Sequence, residues 1–396
     1  MVGASRGHCD PAFADVRELF ESSLADGRDL GAAVAVFVDG RPVVDLWGGI
    51  ADQRSGREWE ADTPCIAFSS GKAVTAAAAL AVMARAGIEP ETPVVRWWPE
   101  FGAAGKDTAT TEQLFTHSVG LPVIERTVTV AQAADPAAMA AELAGQTPLW
   151  EPGARHGYHA LTYGWLVGEL VRRVSGRTVG EFVRENFIGA DADRGPGGSD
   201  GELWFAPPAE VVARSARFEF QPAEQPAWRP AESPTQNAVI ARLAAAYRDR
   251  DSLLMRSSTN PRGSHNDPAV LAGGWPGSGL VATARGLAAF YRDLLSGALI
   301  PGALLREARR ERVRGADEVT ILESAFGLGF MLPSQTFLLP EAAHATAFGH
   351  PGMGGSVGSA DPDRGVAFAF IPNLRGDALA GDRRAHDLLA AVYAAL

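Results

Sequence analysis

The sequence predicts an α+β fold, with an antiparallel sheet built from strands at both chain ends, helices flanking it, and a mainly helical segment inserted between. Three observations predict this: a β-hairpin signal near the N-terminus, a meander of short strands near the C-terminus, and helical spacing through most of the middle. The order excludes the alternating βαβα of a doubly wound fold. The expected division places 1–68 and 310–396 in the sheet-bearing domain and 69–309 in the helical one, with a site at their junction.

The elements follow in chain order. Residues 11–26 set Phe13, Val16, Leu19, Phe20 and Leu24 at helical spacing. AAVAVFVDGRPVVDLWGG places two apolar, β-branched runs around Asp39-Gly40, a strong hairpin signal. A helix is expected from about Ser69 to Ala86, stopped by Gly87. Thr110 and Gln113 form a capping box ahead of a short helix. Further helices are expected at 130–144, 159–174, 179–187, 235–249 and 282–296, with a loop rich in Gly, Pro and acidic residues over 188–234. Strands are expected at 326–332, 356–360 and 365–371, and a last helix at 383–395.

Composition narrows the function. The 396 residues carry 36 basic and 47 acidic side chains, a net charge of −11. That balance argues against nucleic acid or an anionic membrane as the main partner. Apolar residues make up 46%, enough for a sizeable core. The N-terminus lacks the apolar stretch of a secretory signal, and the Ala-rich run 73–87 is too short to span a bilayer, so a cytoplasmic setting is expected. Cys9 and Cys65 form no disulfide framework and no metal pattern, and neither a metal nor a cofactor is expected.

Only two of the 36 basic residues are lysine, Lys72 and Lys106. Lysine can lose its proton when buried and arginine cannot. Lys72 lies three residues after Ser69, and with Ala73, Ala76, Leu80 and Met83 the pair forms one stripe of the expected helix. An ammonium pressed into that apolar surface loses hydration and its pKa falls. A neutral amine beside a hydroxyl can take the hydroxyl proton, and the helix N-terminus aims N–H groups at a developing oxyanion. Lys106 lies among polar loop residues and is expected to be solvated and non-catalytic.

Two further stretches complete a constellation. Tyr158 stands at a loop-to-helix junction 89 residues after Ser69, with Tyr163 as the alternative inside the helix. His350-Pro351-Gly352 precedes a strand near the end of the chain. With SxxK, LFTHSVGLP, ATARGLAAFY and HPG…GGS, nearly the whole chain resembles the serine β-lactamase and penicillin-binding-protein superfamily. The resemblance is closest to its class C-like branch, the family VIII carboxylesterases and related transacylases. The resemblance implies a β-lactamase/transpeptidase-like fold, Ser69 as acylated nucleophile, Lys72 as its activator, and Tyr158 as proton relay to the leaving group. It also implies an oxyanion hole from the Ser69 and Met353 amides, with His350, Gly352 and Gly354 in a third, substrate-binding motif.

Two departures weaken a β-lactamase reading. Tyr158-His159-Ala160 lacks the asparagine of Tyr-x-Asn, and His350 stands where β-lactamases carry a carboxylate-binding lysine. The expected function is therefore hydrolysis of small carboxylic esters through acyl-Ser69. The alternatives are transfer to an amine or alcohol acceptor, a weak β-lactamase or D-amino peptidase, and a non-catalytic binding relative. Trp150 and Trp275 are candidate pocket residues, and His156 and His159 are expected at the rim rather than on a metal. Gly354-Gly355-Ser356-Val357-Gly358 matches the GxSxG nucleophile pattern, but that elbow needs a helix after the serine, and a strand is expected there.

Overall fold

The computed structural model describes residues 3–188, 201–220, 234–376 and 382–396. Much of the loop expected at 188–234 therefore lies outside the described residues. The strands that matter here are β1 (Arg6–Cys9), β2 (Gly31–Val38), β3 (Arg41–Asp52), β4 (Cys65–Phe68), β5 (Leu203–Trp204), β6 (Leu280–Ala282), β7 (Phe348–Pro351), β8 (Val357–Asp361) and β9 (Val366–Pro372). The main helices are α1 (Ala14–Ala25), α2 (Gly71–Ala86), α3 (Thr162–Ser175), α4 (Ala284–Ser296) and α5 (Arg383–Ala394).

The central sheet runs β1-β3-β2-β9-β8-β7, and every neighbouring pair is antiparallel. It thus joins the first and last parts of the chain. The β2–β3 hairpin turns at Asp39-Gly40, both in the left-handed region with φ 49° and 77°. Alternation along β2 sorts its side chains to two faces. Val34 and Val36 join Val16, Phe20, Phe368, Leu388 and Val392 in one core, under α1 and α5. Ala35 and Phe37 face the other core with Leu287 and Tyr291 of α4. Full burial of side chains of this size contributes about 1.5–3 kcal/mol each. Helix α4, which the sequence division assigns to the inserted unit, packs on β2, β8 and β9.

Helix α2 is buried on all its faces from Gly71 to Met83, not only along the expected stripe, and packs against α3. Its alanines permit that close approach. Gly87 ends it at φ 65°, its N–H bonding the Met83 carbonyl. Two elements differ from expectation. The helix expected at 130–144 is two helices, Val130–Ala133 and Pro136–Gly145. Pro136 lacks the N–H to continue the first, and the Asp135 carboxylate caps the second. The strand expected at 326–332 is instead Glu323–Phe326, because the chain turns through Gly327–Gly329, Gly329 at φ 78°. Among the described residues no helix is long and apolar enough to cross a membrane.

Candidate active site

Strand β4 delivers the nucleophile candidate through a strained turn. Phe68, its last residue, holds φ 49°, a left-handed conformation uncommon for a bulky side chain. Ser69 and Ser70 follow in the turn, Ser70 at the N-cap position without a side-chain cap bond, and α2 begins at Gly71, two residues later than expected. The Lys72 amide still bonds the Ser69 carbonyl at 2.9 Å, which keeps both side chains on one face.

Lys72 is fully buried directly beneath Ser69. Its Nζ meets three oxygens: Ser69 Oγ at 3.0 Å, the Ala160 carbonyl at 2.7 Å and the Gly277 carbonyl at 2.6 Å. Ala160 precedes α3, and Gly277 belongs to the loop ahead of β6. That loop approaches α3 closely: a Cβ on Gly164 would stand 2.1 Å from the Gly277 nitrogen. Thr75 on α2 also holds it, through the Pro276 carbonyl at 2.8 Å. Burial drives the Lys72 pKa well below its ordinary value.

Tyr158 lies closer to Lys72 than Tyr163 does, whose ring centroid is 5.8 Å from Nζ. The Tyr158 ring centroid lies 4.7 Å from Lys72 Nζ, and Tyr158 lines the same cavity as Ser69. Tyr163 is fully buried and outside that lining, its hydroxyl without a hydrogen-bond partner among the described residues. Burial pushes the Tyr158 pKa up, against the neighbouring Ser69 hydroxyl, which lowers it. Asp317 fixes the backbone here, accepting the Tyr158 N–H at 3.0 Å as well as the Val319 and Thr320 amides.

His350 lies on β7, paired with Gly358, and is fully buried against the Tyr158 ring. Its Nδ1–H donates to the Pro351 carbonyl at 2.7 Å, while Nε2 has no hydrogen-bond partner among the described residues. Burial pushes its pKa down to about 3, so position 350 carries no cation at neutral pH. Beyond it, Gly352, Met353 and Gly354 line the cavity opposite Ser69. Among the described residues neither the Ser69 nor the Met353 amide has a hydrogen-bond acceptor. Both residues line the cavity, and free amides there are the kind of donor an oxyanion would need.

The competing serine is a staple. Ser356 is buried, its hydroxyl donates to the Ala67 carbonyl at 2.8 Å, and β8 rather than a helix follows it. It ties the 352–355 turn to β4, the strand that leads into Ser69.

Four expectations are corrected. Lys106 is not solvated: it is fully buried, with Nζ on the Ala103 carbonyl at 2.7 Å and the Gln146 carbonyl at 2.6 Å. His159 is not at a rim. It is buried, its Nε2 accepts the Leu121 N–H, its Nδ1–H donates to the Gly157 carbonyl, and burial lowers its pKa to about 3. His156 is also buried, on the Ser324 hydroxyl. Trp150 misses the cavity and bonds the Ser118 carbonyl, whereas Trp275 does line it. Among the described residues no cluster of three or more His, Cys, Asp or Glu could hold a metal.

Sequence reasoning missed His117. It is buried at φ 59°, stacks near Tyr158 and Tyr163, and its Nδ1 accepts the His159 N–H. Only its place in LFTHSVGLP hinted at a role. The cavity itself measures about 710 Å³ and is bordered by Phe68, Leu243, Leu254, Met255, Val270 and Trp275, an apolar wall.

A sequence profile of the family described as Beta-lactamase matches residues 16–392. The chain belongs to the beta-lactamase family. This family member is 33% identical over 381 residues to Esterase/beta-lactamase LipL of Mycobacterium tuberculosis, covering 93% of this chain and 82% of that one. It matches the structure of a family VIII carboxylesterase with a TM-score of 0.84 and 31% identity, over 99% of this chain and 100% of that one. It matches a penicillin-binding protein homolog from Caulobacter crescentus with a TM-score of 0.82 and 35% identity, over 99% of this chain and 100% of that one. The β-lactamase/transpeptidase-like α+β fold expected from the sequence is the fold of this beta-lactamase family member.

Proposed function

We propose that the protein is a serine hydrolase of small carboxylic esters, working through an acyl-Ser69 intermediate. One observation carries the reading: Lys72 Nζ faces two carbonyls and one hydroxyl. A neutral amine has two N–H bonds and one lone pair. Donating to Ala160 and Gly277 leaves the lone pair on Ser69 Oγ, the arrangement of a base poised to take a proton. The electrostatics agree, since burial favours a neutral Lys72 and a neutral Tyr158. Lys72 is then the base. Tyr158 is the phenol that passes a proton to the departing alkoxide.

In the mechanism, Ser69 Oγ attacks the ester carbonyl as its proton moves to Lys72. The Ser69 and Met353 amides hold the oxyanion. The alcohol leaves with a proton relayed through Tyr158, and water, activated by the same amine, releases the acid. The similarity to LipL and to a family VIII carboxylesterase supports ester chemistry. The neutral His350 supports it too, because it offers no charge to a β-lactam carboxylate. Transfer to an amine or alcohol uses the same acyl-enzyme and differs only in what attacks it. Added acceptors that divert product from acid to amide or ester would reveal it.

The pH profile tests the base. Burial disfavours the charged amine, so Lys72 loses its proton at lower pH than an exposed lysine. Activity needs the neutral amine, so kcat/KM for p-nitrophenyl butyrate rises with pH through the Lys72 pKa and levels off well below the ordinary lysine range. A profile still climbing at about pH 10 contradicts the assignment.

A further inference from the structure

We infer that Arg384 is a positioning residue for the oxyanion hole, holding the turn that presents the Met353 amide. The inference rests on the acyl-Ser69 reading above. That turn has little to define its own shape: Gly354 and Gly355 sit at φ 85° and 105°, with no side chains to fix them. Its own bonds are few, the Gly355 N–H on the Gly352 carbonyl at 3.2 Å and a pairing of its two ends, and one tether comes from outside. The Gly352 N–H donates to the Ser356 carbonyl at 2.7 Å on one side of Met353. On the other, Arg384 Nη2 donates to the Gly354 carbonyl at 2.8 Å.

The arginine is built for this contact. It lies in the first turn of α5, with only 8% of its side chain exposed. Nε and Nη2 grip the two oxygens of Asp382 at 2.9 and 2.5 Å. Nη1 reaches Asp29 Oδ1 at 2.6 Å and the carbonyls of Arg28 and Leu374 at 3.1 and 3.0 Å. Asp29 is itself buried and held by the Ser23 hydroxyl at 2.5 Å. The fork therefore has no freedom to rotate away, and its one bond to the turn is directed. The pair also packs on the turn directly: a Cβ on Gly355 would stand 2.2 Å from Asp382 Oδ2 and 2.5 Å from Arg384 Nη2. An ion pair serving only to anchor α5 would not need the Gly354 carbonyl.

The test uses Arg384→Lys, which keeps the charge and loses the fork, and the isosteric Asp382→Asn as a second variant should the first fail to fold. Each is assayed per titrated active site with p-nitrophenyl butyrate and with an alkyl boronic acid, which becomes tetrahedral on the serine. The expected result is a kcat lower by about 10–100-fold with KM within about twofold, and boronate affinity weakened in parallel, since misplacing one oxyanion donor costs less than deleting it. Affinity for the carboxylate product stays unchanged. A variant that melts earlier yet keeps wild-type kcat and boronate affinity overturns the inference and leaves Arg384 an anchor of α5. A wild-type enzyme that neither turns over the ester nor binds the boronate at Ser69 overturns the acyl-Ser69 reading, and this inference with it.

Discussion

In a Lys72→Arg variant, ester turnover falls by about 10²–10⁴-fold, the range a positioned general base supplies, while the protein stays folded. Arginine cannot give up its proton at any accessible pH, so it offers Ser69 a donor in place of a lone pair. Its planar fork also cannot reproduce the geometry of Nζ, which meets two carbonyls and a hydroxyl from one atom. Circular dichroism checks that the variant is folded before its turnover is compared with wild type. Wild-type turnover in a folded Lys72→Arg variant contradicts the base role.

The second large effect concerns the other lysine, and it is one of stability. Lys106→Met leaves the Ala103 and Gln146 carbonyls without their buried donor. Each unsatisfied carbonyl costs about 1–3 kcal/mol, so the variant is expected to lose roughly 2–6 kcal/mol in urea unfolding. Its kcat per folded molecule should be unchanged, since Lys106 does not line the cavity. A loss below about 0.5 kcal/mol would place it with ordinary surface substitutions and contradict the burial seen here.

The two lysines also mark where the sequence was legible. The contact between Ser69 and Lys72 is legible because it is local: three residues apart across a helix start. The hairpin at Asp39-Gly40 and the Gly87 stop were readable for the same reason. Lys106 reads as solvated because its immediate neighbours are polar, while the Gln146 carbonyl that buries it lies 40 residues away. His159 was placed at a rim because its partners, the His117 ring and the Leu121 amide, lie 42 and 38 residues away. Arg384 and Asp29 are 355 residues apart, and no spacing rule connects them.

The lesson about lysine is sharper than composition alone suggested. In a chain that otherwise uses arginine, both lysines occupy interior positions where a compact nitrogen meets two backbone carbonyls. Burial therefore does not single out Lys72. Its third neighbour does: Ser69 Oγ, just ahead of a helix and on the wall of a cavity.

The most direct test is peptide-level mass spectrometry after brief reaction with p-nitrophenyl butyrate or a fluorophosphonate. The acyl or phosphonyl adduct is expected on the peptide carrying Ser69, absent in Ser69→Ala and retained in Ser356→Ala. An adduct on Ser356, or labelling that survives in Ser69→Ala, would contradict the account.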